Sequence, residues 1–259
     1  MSTEPESVVI IPARWGSTRF PGKPLVVLEG KPLIQWVYEA ASRARKVRQV
    51  LVATDDSRIQ QAVAGFGGTA VMTGDHPSGS DRIAEVARTL ECEVVVNLQG
   101  DEPLTQPEQI DQLIEALHRH PEIPVATLKF PLTAESQVHD PNLVKVVTDS
   151  QGRALYFSRS PIPYARDGGG VGEAGGAAAA GPIRWYGHLG LYAYRKPFLM
   201  EYTRMPPTGL EQAEKLEQLR ILENGYPILV LETEVHSPGV DCPEDLEKVK
   251  RQLRQTASQ

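Results

Sequence analysis

The sequence is poor in features that would each point to a particular class of protein. It has only two cysteines in 259 residues, Cys92 and Cys242. They lie far apart, with no CxxC or Cys/His ligand spacing, so neither a disulfide scaffold nor a zinc site is indicated and a reducing compartment fits. No apolar run approaches the roughly 18 residues that a membrane-crossing helix needs. Met1 to Ser7 is polar and acidic, unlike the basic start and apolar middle of a secretory leader. The expectation is a cytoplasmic protein without a membrane partner. Positive charge is not in excess either: 27 Lys and Arg against 33 Asp and Glu leave a formal charge of -6. That balance argues against nucleic acid and anionic membranes as partners, since both need a basic face.

The remaining composition, 41% hydrophobic and 23% charged, is ordinary for a globular chain, and the length suits one large α/β domain or a main domain with a smaller lobe. Val8-Val9-Ile10-Ile11 reads as a strand buried on both faces of a parallel sheet. Pro32, then Leu33, Val37, Ala40, Ala41 and Ala44, predict an amphipathic helix. A strand at 49–54, a helix at 56–64, a strand at 69–72, a helix capped by Ser80 and a strand at 94–98 continue the alternation. Such alternation implies βαβ crossovers and a doubly wound, mostly parallel sheet whose ligands sit beyond the carboxyl ends of the strands. The second half is less regular, with strands expected at 125–130, 144–148, 154–158 and 189–194, a helix over 211–223, a strand at 228–234 and a closing helix over 243–254. The Gly/Ala-rich stretch 168–181 reads as a loop.

Chemistry concentrates after the first strand, in Pro12-Ala13-Arg14-Trp15-Gly16-Ser17-Thr18-Arg19-Phe20-Pro21-Gly22-Lys23-Pro24. Three cations and two glycines there suit a polyphosphate, held by Arg14, Arg19 and Lys23 side chains; a surface turn with solvated cations is the alternative. Five residues separate Gly16 from Gly22, and Pro24 stands where a Walker A loop has Ser or Thr, so a P-loop ATPase is a poor reading. Asp101, just past a strand, suits either a metal ligand or an ordinary Gly-Asp turn. Asp241, with Pro243 and Glu244 after it, reads first as a helix N-cap. Ser80 and Asp81 suit a helix cap and a first-turn acid. His188 and Tyr192 share one face of a strand. Glu217 and Gln218 fall on the polar side of a helix buried through Ala213, Leu216 and Leu219.

Ile11 to Arg14 with Ser17 to Pro24 closely resembles the opening of 3-deoxy-manno-octulosonate (Kdo) cytidylyltransferases. The resemblance continues in order through Ala53-Thr54-Asp55, Ser78 to Glu85, Asn97-Leu98-Gln99-Gly100-Asp101-Glu102-Pro103, Tyr156 to Arg159, His188 to Tyr192, Leu216 to Arg220 and Gly239-Val240-Asp241. It covers nearly the whole chain, whereas sialic acid cytidylyltransferases share the first loop only in looser form. The resemblance implies a nucleotidyltransferase (Rossmann-like) fold with a smaller mixed α+β lobe. It implies a single domain over 1–259, within which about 139–227 carries acceptor binding and dimerisation. It also implies an enzyme that transfers CMP from CTP to Kdo for lipopolysaccharide precursor synthesis, as a homodimer with Mg2+ as cofactor. By the same resemblance Asp101 and Asp241 hold the metal and, with Lys23, are catalytic. Ala13, Arg14, Arg19, Lys23, Ser80 and Arg82 contact CTP, and Gln99, Arg159, His188, Tyr192, Glu217 and Gln218 contact the acceptor. Two positions depart from the pattern: Gly187 stands where a basic residue commonly precedes the His, and Cys242 replaces the usual Thr. Rival readings are CMP-sialic acid synthesis, a sugar-1-phosphate nucleotidyltransferase and a nucleotide-binding regulator on the same fold.

Overall fold

The structure, a computed structural model, describes residues 6–16, 20–166, 184–234, 239–240 and 242–256. Arg19, Asp241 and the segment 168–181 lie outside the described residues.

The chain opens with β1 (Ser7–Ala13), a 3-10 turn (Lys23–Leu25), the two-residue strands β2 (Val27–Leu28) and β3 (Lys31–Pro32), and α1 (Leu33–Ser42). Next come β4 (Val47–Thr54), α2 (Ser57–Gly65), β5 (Ala70–Met72), α3 (Gly79–Arg88), β6 (Val94–Asn97) and α4 (Pro107–Arg119). Then follow β7 (Val125–Pro131), α5 (Glu135–His139), β8 (Lys145–Thr148), β9 (Ala154–Ser158) and β10 (Tyr186–Arg195). The described chain ends with α6 (Lys196–Tyr202), α7 (Gly209–Glu214), α8 (Leu219–Glu223), β11 (Ile228–Glu232) and α9 (Pro243–Thr256).

Two compact units result. The first comprises Met1–His120, Leu191–Thr203 and Ser237–Gln259; the second comprises Pro121–Gly190 and Arg204–His236. In the first, strands run in the order β6-β1-β4-β5, with β1 parallel to both β4 and β6 and β4 parallel to β5. Val8 to Ile11 of β1 are fully buried, as expected of a strand covered on both faces. The chain leaves β1 for β4 and β5 on one side, then returns for β6 on the other. The order therefore reverses between β1 and β6, and a doubly wound sheet opens its ligand crevice beyond the carboxyl ends of such a pair. The second unit holds the antiparallel pair β8 and β9 and the parallel pair β11 and β7.

Four sequence expectations change. Ser80 does not cap α3: the helix starts at Gly79, and Ser78 Oγ accepts from the Asp81 N–H at 3.1 Å. Ser80 falls inside the first turn and is buried. The helix expected over 211–223 is two short helices, α7 and α8, because Lys215 takes a left-handed conformation at φ 56°; Ala213 is consequently exposed. At α9 the helix starts with Pro243, so the capping position is Cys242, whose N–H donates to Asp245 Oδ2 at 3.1 Å. The capping-box acid is thus Asp245 where Glu244 was expected, one residue on from the pairing with Asp241. Finally, α4 occupies a stretch with no anticipated element. It buries Ile110, Leu113, Ile114 and Leu117, and Gln109 Oε1 accepts from the Gln106 N–H at 3.0 Å.

Candidate active site

The loop after β1 and the loop after β6 meet, as the strand order requires. Lys23 Nζ lies 2.5 Å from Asp101 Oδ2, joining the candidate phosphate cation to the candidate metal carboxylate across 78 positions of sequence. Both side chains keep a solvent-facing part, 15% for Lys23 and 29% for Asp101, so neither charge is locked into the core. Ala13 is buried at the end of β1 while Arg14 is exposed. Trp15 shapes the start of the loop: its carbonyl accepts from the Gly22 N–H at 3.1 Å. Gly22 takes φ 70°, and a Cβ there would come within 2.9 Å of the Trp15 ring. Only glycine meets both the left-handed backbone and the close ring. On the ring sits the Arg58 guanidinium, 3.5 Å from the centroid, itself paired to Asp56 at 2.5 Å.

The loop carrying Asp101 is held by its backbone. The Val240 N–H donates to the Asp101 carbonyl at 2.8 Å, tying the segment 239–240 to this loop. Beside it, Glu102 has one carboxylate oxygen buried without a hydrogen-bond partner. Burial first, and the Asp101 charge second, push its carboxyl up to about 8. Glu102 is therefore favoured in its protonated form up to about that value. Nothing in the residue pattern of Gly100-Asp101-Glu102-Pro103 separates these two acids; their different burial does.

Ser80 and Arg82 sit in the first turns of α3, both buried. Arg82 is committed to the protein: its guanidinium donates to Asp55 Oδ2 at 2.6 Å and to Thr73 Oγ1 at 2.5 Å, pinning the 73–74 backbone against the end of β4. Gln99 donates to Asn97 Oδ1 at 3.2 Å and lies beside Gly79, whose Cβ position is 3.8 Å from Gln99 Oε1 and 3.3 Å from Pro12. The ends of β1 and β6 and the start of α3 thus converge. Tyr192 pairs in register with Asn97 and stacks on Tyr194 at 5.7 Å between ring centroids.

The remaining acceptor candidates belong to the second unit. Arg159 wraps backbone carbonyls: its guanidinium donates to Glu214 O at 2.8 Å and Pro141 O at 3.0 Å, satisfying the last turn of α7. Glu214 answers by accepting from the Arg159 N–H at 2.9 Å and the Ser158 hydroxyl at 2.6 Å. Lys145, fully buried, donates to the carbonyls of Asp140, Leu143 and Arg159 at 2.8, 2.7 and 2.6 Å. No motif singles this lysine out. Gln218 is buried and Glu217 exposed at the start of α8. His188 is partly buried; loss of solvent pushes its pKa down to about 3, so the ring is neutral. Gly187, the departure from the family pattern, has a packing reason: a Cβ there would fall 2.5 Å from Phe130 Cζ and 2.9 Å from Leu132.

Among the described residues, no group of three or more His, Cys, Asp or Glu side chains is arranged to hold a metal ion, and no helix is long and apolar enough to cross a membrane.

Comparison with known proteins places this geometry. The family model for cytidylyltransferases matches residues 8–233. A 3-deoxy-manno-octulosonate cytidylyltransferase of Geobacter sulfurreducens is 54% identical over 246 residues, covering 95% of this chain and 98% of that one. The chain belongs to the 3-deoxy-manno-octulosonate cytidylyltransferase family. The relative from Pelobacter propionicus, of the same name, is 53% identical over 95% of this chain and 96% of its own. A solved CMP:2-keto-3-deoxy-manno-octonic acid synthetase complexed with CTP superposes with a TM-score of 0.89 at 45% identity, covering 97% of this chain and 99% of that one. The nucleotidyltransferase fold expected for this family is the fold observed in the first unit's mostly parallel sheet.

Proposed function

We infer that this member of the Kdo cytidylyltransferase family transfers CMP from CTP to the anomeric hydroxyl of Kdo and releases pyrophosphate. The observation that carries the reading is the pairing of Lys23 with Asp101 at the point where the strand order reverses, in a chain whose relatives at 54% and 53% identity bear that activity's name. The triphosphate lies over the loop after β1, where Arg14, Arg19 and Lys23 meet its charge and Ala13, Ser80 and Arg82 belong to the nucleotide side. The anomeric oxygen attacks the α-phosphorus in line; the bond to the bridging oxygen breaks, and pyrophosphate leaves with that electron pair. No covalent enzyme intermediate is needed. The chain's own work is to position the reactants and to neutralise charge.

Mg2+ is assigned to Asp101 and Asp241. The fit rests on Asp101: it is a hard oxygen donor with a solvent-facing side, its neighbour Glu102 favours the protonated form, and Mg2+ typically takes one or two carboxylates and keeps its waters. Lys23 now supplies the counter-charge that a cation would supply, and its release to a phosphate oxygen frees the carboxylate. The part proposed for Asp241 rests on the family resemblance. Bound there, the metal supplies Lewis-acid polarisation of the phosphate and a lower pKa for the attacking hydroxyl.

Gln99, Arg159, His188, Tyr192, Glu217 and Gln218 are proposed as the acceptor side, with a lobe over about 139–227 carrying acceptor binding and dimerisation. A homodimer formed through that lobe is supported by its exposed apolar side chains, Leu155 at 62% and Tyr164 at 87%; light scattering tests it. The free thiols Cys92 and Cys242 fit the cytoplasmic setting proposed for the reaction. Phosphorus-31 NMR of a mixture of the protein, CTP, Kdo and Mg2+ tests the chemistry. Growth of pyrophosphate together with a CMP diester is expected, whereas CDP and inorganic phosphate would contradict attack at the α-phosphorus.

A further inference from the structure

The neck of the loop after β1 is braced from outside the loop. The Trp15 carbonyl accepts from the Gly22 N–H at 3.1 Å, and the indole packs on Gly22 so closely that a Cβ there would meet it at 2.9 Å. Lys23, the cation paired with Asp101, is the next residue. A second neighbour of the ring comes from the adjacent strand. β1 and β4 run in parallel with Ala13 opposite Thr54, so Trp15 and Asp56 each stand two residues past a matched strand end. Asp56 caps α2 and accepts three hydrogen bonds from Arg58: from its backbone N–H at 2.9 Å, from Nε at 2.9 Å and from a terminal nitrogen at 2.5 Å. Those bonds fix the guanidinium over the indole, 3.5 Å from the ring centroid, well inside the roughly 6 Å within which an aromatic face attracts a cation. The Arg58 hydrogen bonds hold the Asp56 carboxyl down to about 2, so the fork persists across the neutral range. Arg58 is 54% exposed, and an exposed ion pair of this kind contributes little to stability. A role other than holding the fold fits its geometry.

We propose that Arg58 is a positioning residue for the triphosphate of CTP: through the Trp15 ring it braces the neck of the loop after β1 and so sets where Lys23 presents its charge. Arg58 acts through the indole and not by touching the nucleotide, since Asp56 answers its charge and its face lies on the ring. The inference rests on the reading of this loop as the seat of the triphosphate. It goes beyond the residues which that reading assigns, none of which lies in α2.

The experiment is steady-state kinetics on the full-length protein with Mg2+, CTP and Kdo, arranged as a double-mutant cycle between Arg58→Ala and Trp15→Leu. Trp15→Leu keeps an apolar side chain beside Gly22 and removes the aromatic face. Arg58→Ala is expected to raise the KM for CTP about two- to fivefold, the worth of one exposed cation–π contact, while kcat, the KM for Kdo and the urea midpoint stay unchanged. In the Trp15→Leu background the same change should have no further effect on the KM for CTP. A KM for CTP that Arg58→Ala leaves unmoved would overturn the proposal. So would an equal rise with and without the indole, which marks a guanidinium acting on the nucleotide directly. A urea midpoint that falls as the KM rises would also overturn it, by reducing Arg58 to a part of the fold. Wild type that releases no pyrophosphate from CTP would instead overturn the proposed transfer reaction, and this inference with it.

Discussion

The two units hold their candidate residues in different ways. In the first, charges answer charges: Lys23 pairs with Asp101 and Arg82 with Asp55, each pair joining segments remote in sequence. In the second, cations answer backbone: Arg159 and Lys145 are spent on carbonyl oxygens, and His188 is set against the Thr127 hydroxyl and the Phe157 ring. The Lys23–Asp101 pair, with solvent-facing partners, can exchange one partner for a ligand, whereas buried Arg82, bonded to Thr73 as well as Asp55, holds the frame around it. A cation bonded to two or three carbonyls is part of the scaffold, and removing it leaves those carbonyls unmet. The first arrangement suits a site that takes up a polyanion with its metal, and the second suits a wall of fixed shape.

The contrast can be broken most sharply at Asp101. Asp101→Asn should lower kcat by about 10²–10³-fold with little change in the urea midpoint; a variant within a few-fold of wild-type turnover removes Asp101 from the chemistry. Lys145→Met should do the reverse, destabilising the fold by about 3 kcal/mol because three carbonyls lose their donor, measured by urea denaturation. Gly187→Arg, which restores the basic residue common at this position, should cost about 1–3 kcal/mol by forcing Phe130 and Leu132 aside; an unchanged midpoint would show that the wall yields. The smallest effect concerns Glu102, whose folded pKa of about 8 lies above the ordinary carboxylate value. The folded state favours its protonated form, so its contribution is fully present below about pH 4.5 and is lost as pH rises through 8. Glu102→Gln should therefore flatten the decline in stability between pH 5 and 9, and an identical profile for wild type and variant contradicts the assignment.

What the sequence made legible follows from how local each signal is. The buried run Val8 to Ile11 and the alternation through β6 were readable because periodicity is a property of neighbours. The helical spacing of Ile110, Leu113, Ile114 and Leu117 behind Gln106 carried the same kind of signal for α4, although no element was expected there. The break at Lys215 was not legible: a left-handed lysine leaves no mark in composition. Of the serines at 78 and 80, both suited to a cap, only the structure selects Ser78. The nucleotide-side residues were named from their motifs, yet the direct pairing of Lys23 with Asp101 depends on strand order, which local pattern does not encode. Arg58 looks like any exposed helical cation until β1 and β4 are paired and its guanidinium is found on the Trp15 ring.

The central claim is the transfer of CMP from CTP to Kdo, and pyrophosphate release tests it most directly. CTP, UTP, ATP and GTP are each crossed, with Mg2+ present, against Kdo, N-acetylneuraminate and no acceptor. The account predicts release with CTP and Kdo together and in no other combination. Release with N-acetylneuraminate in place of Kdo would contradict the acceptor assignment, and CTP binding without release in any combination would contradict the enzyme itself.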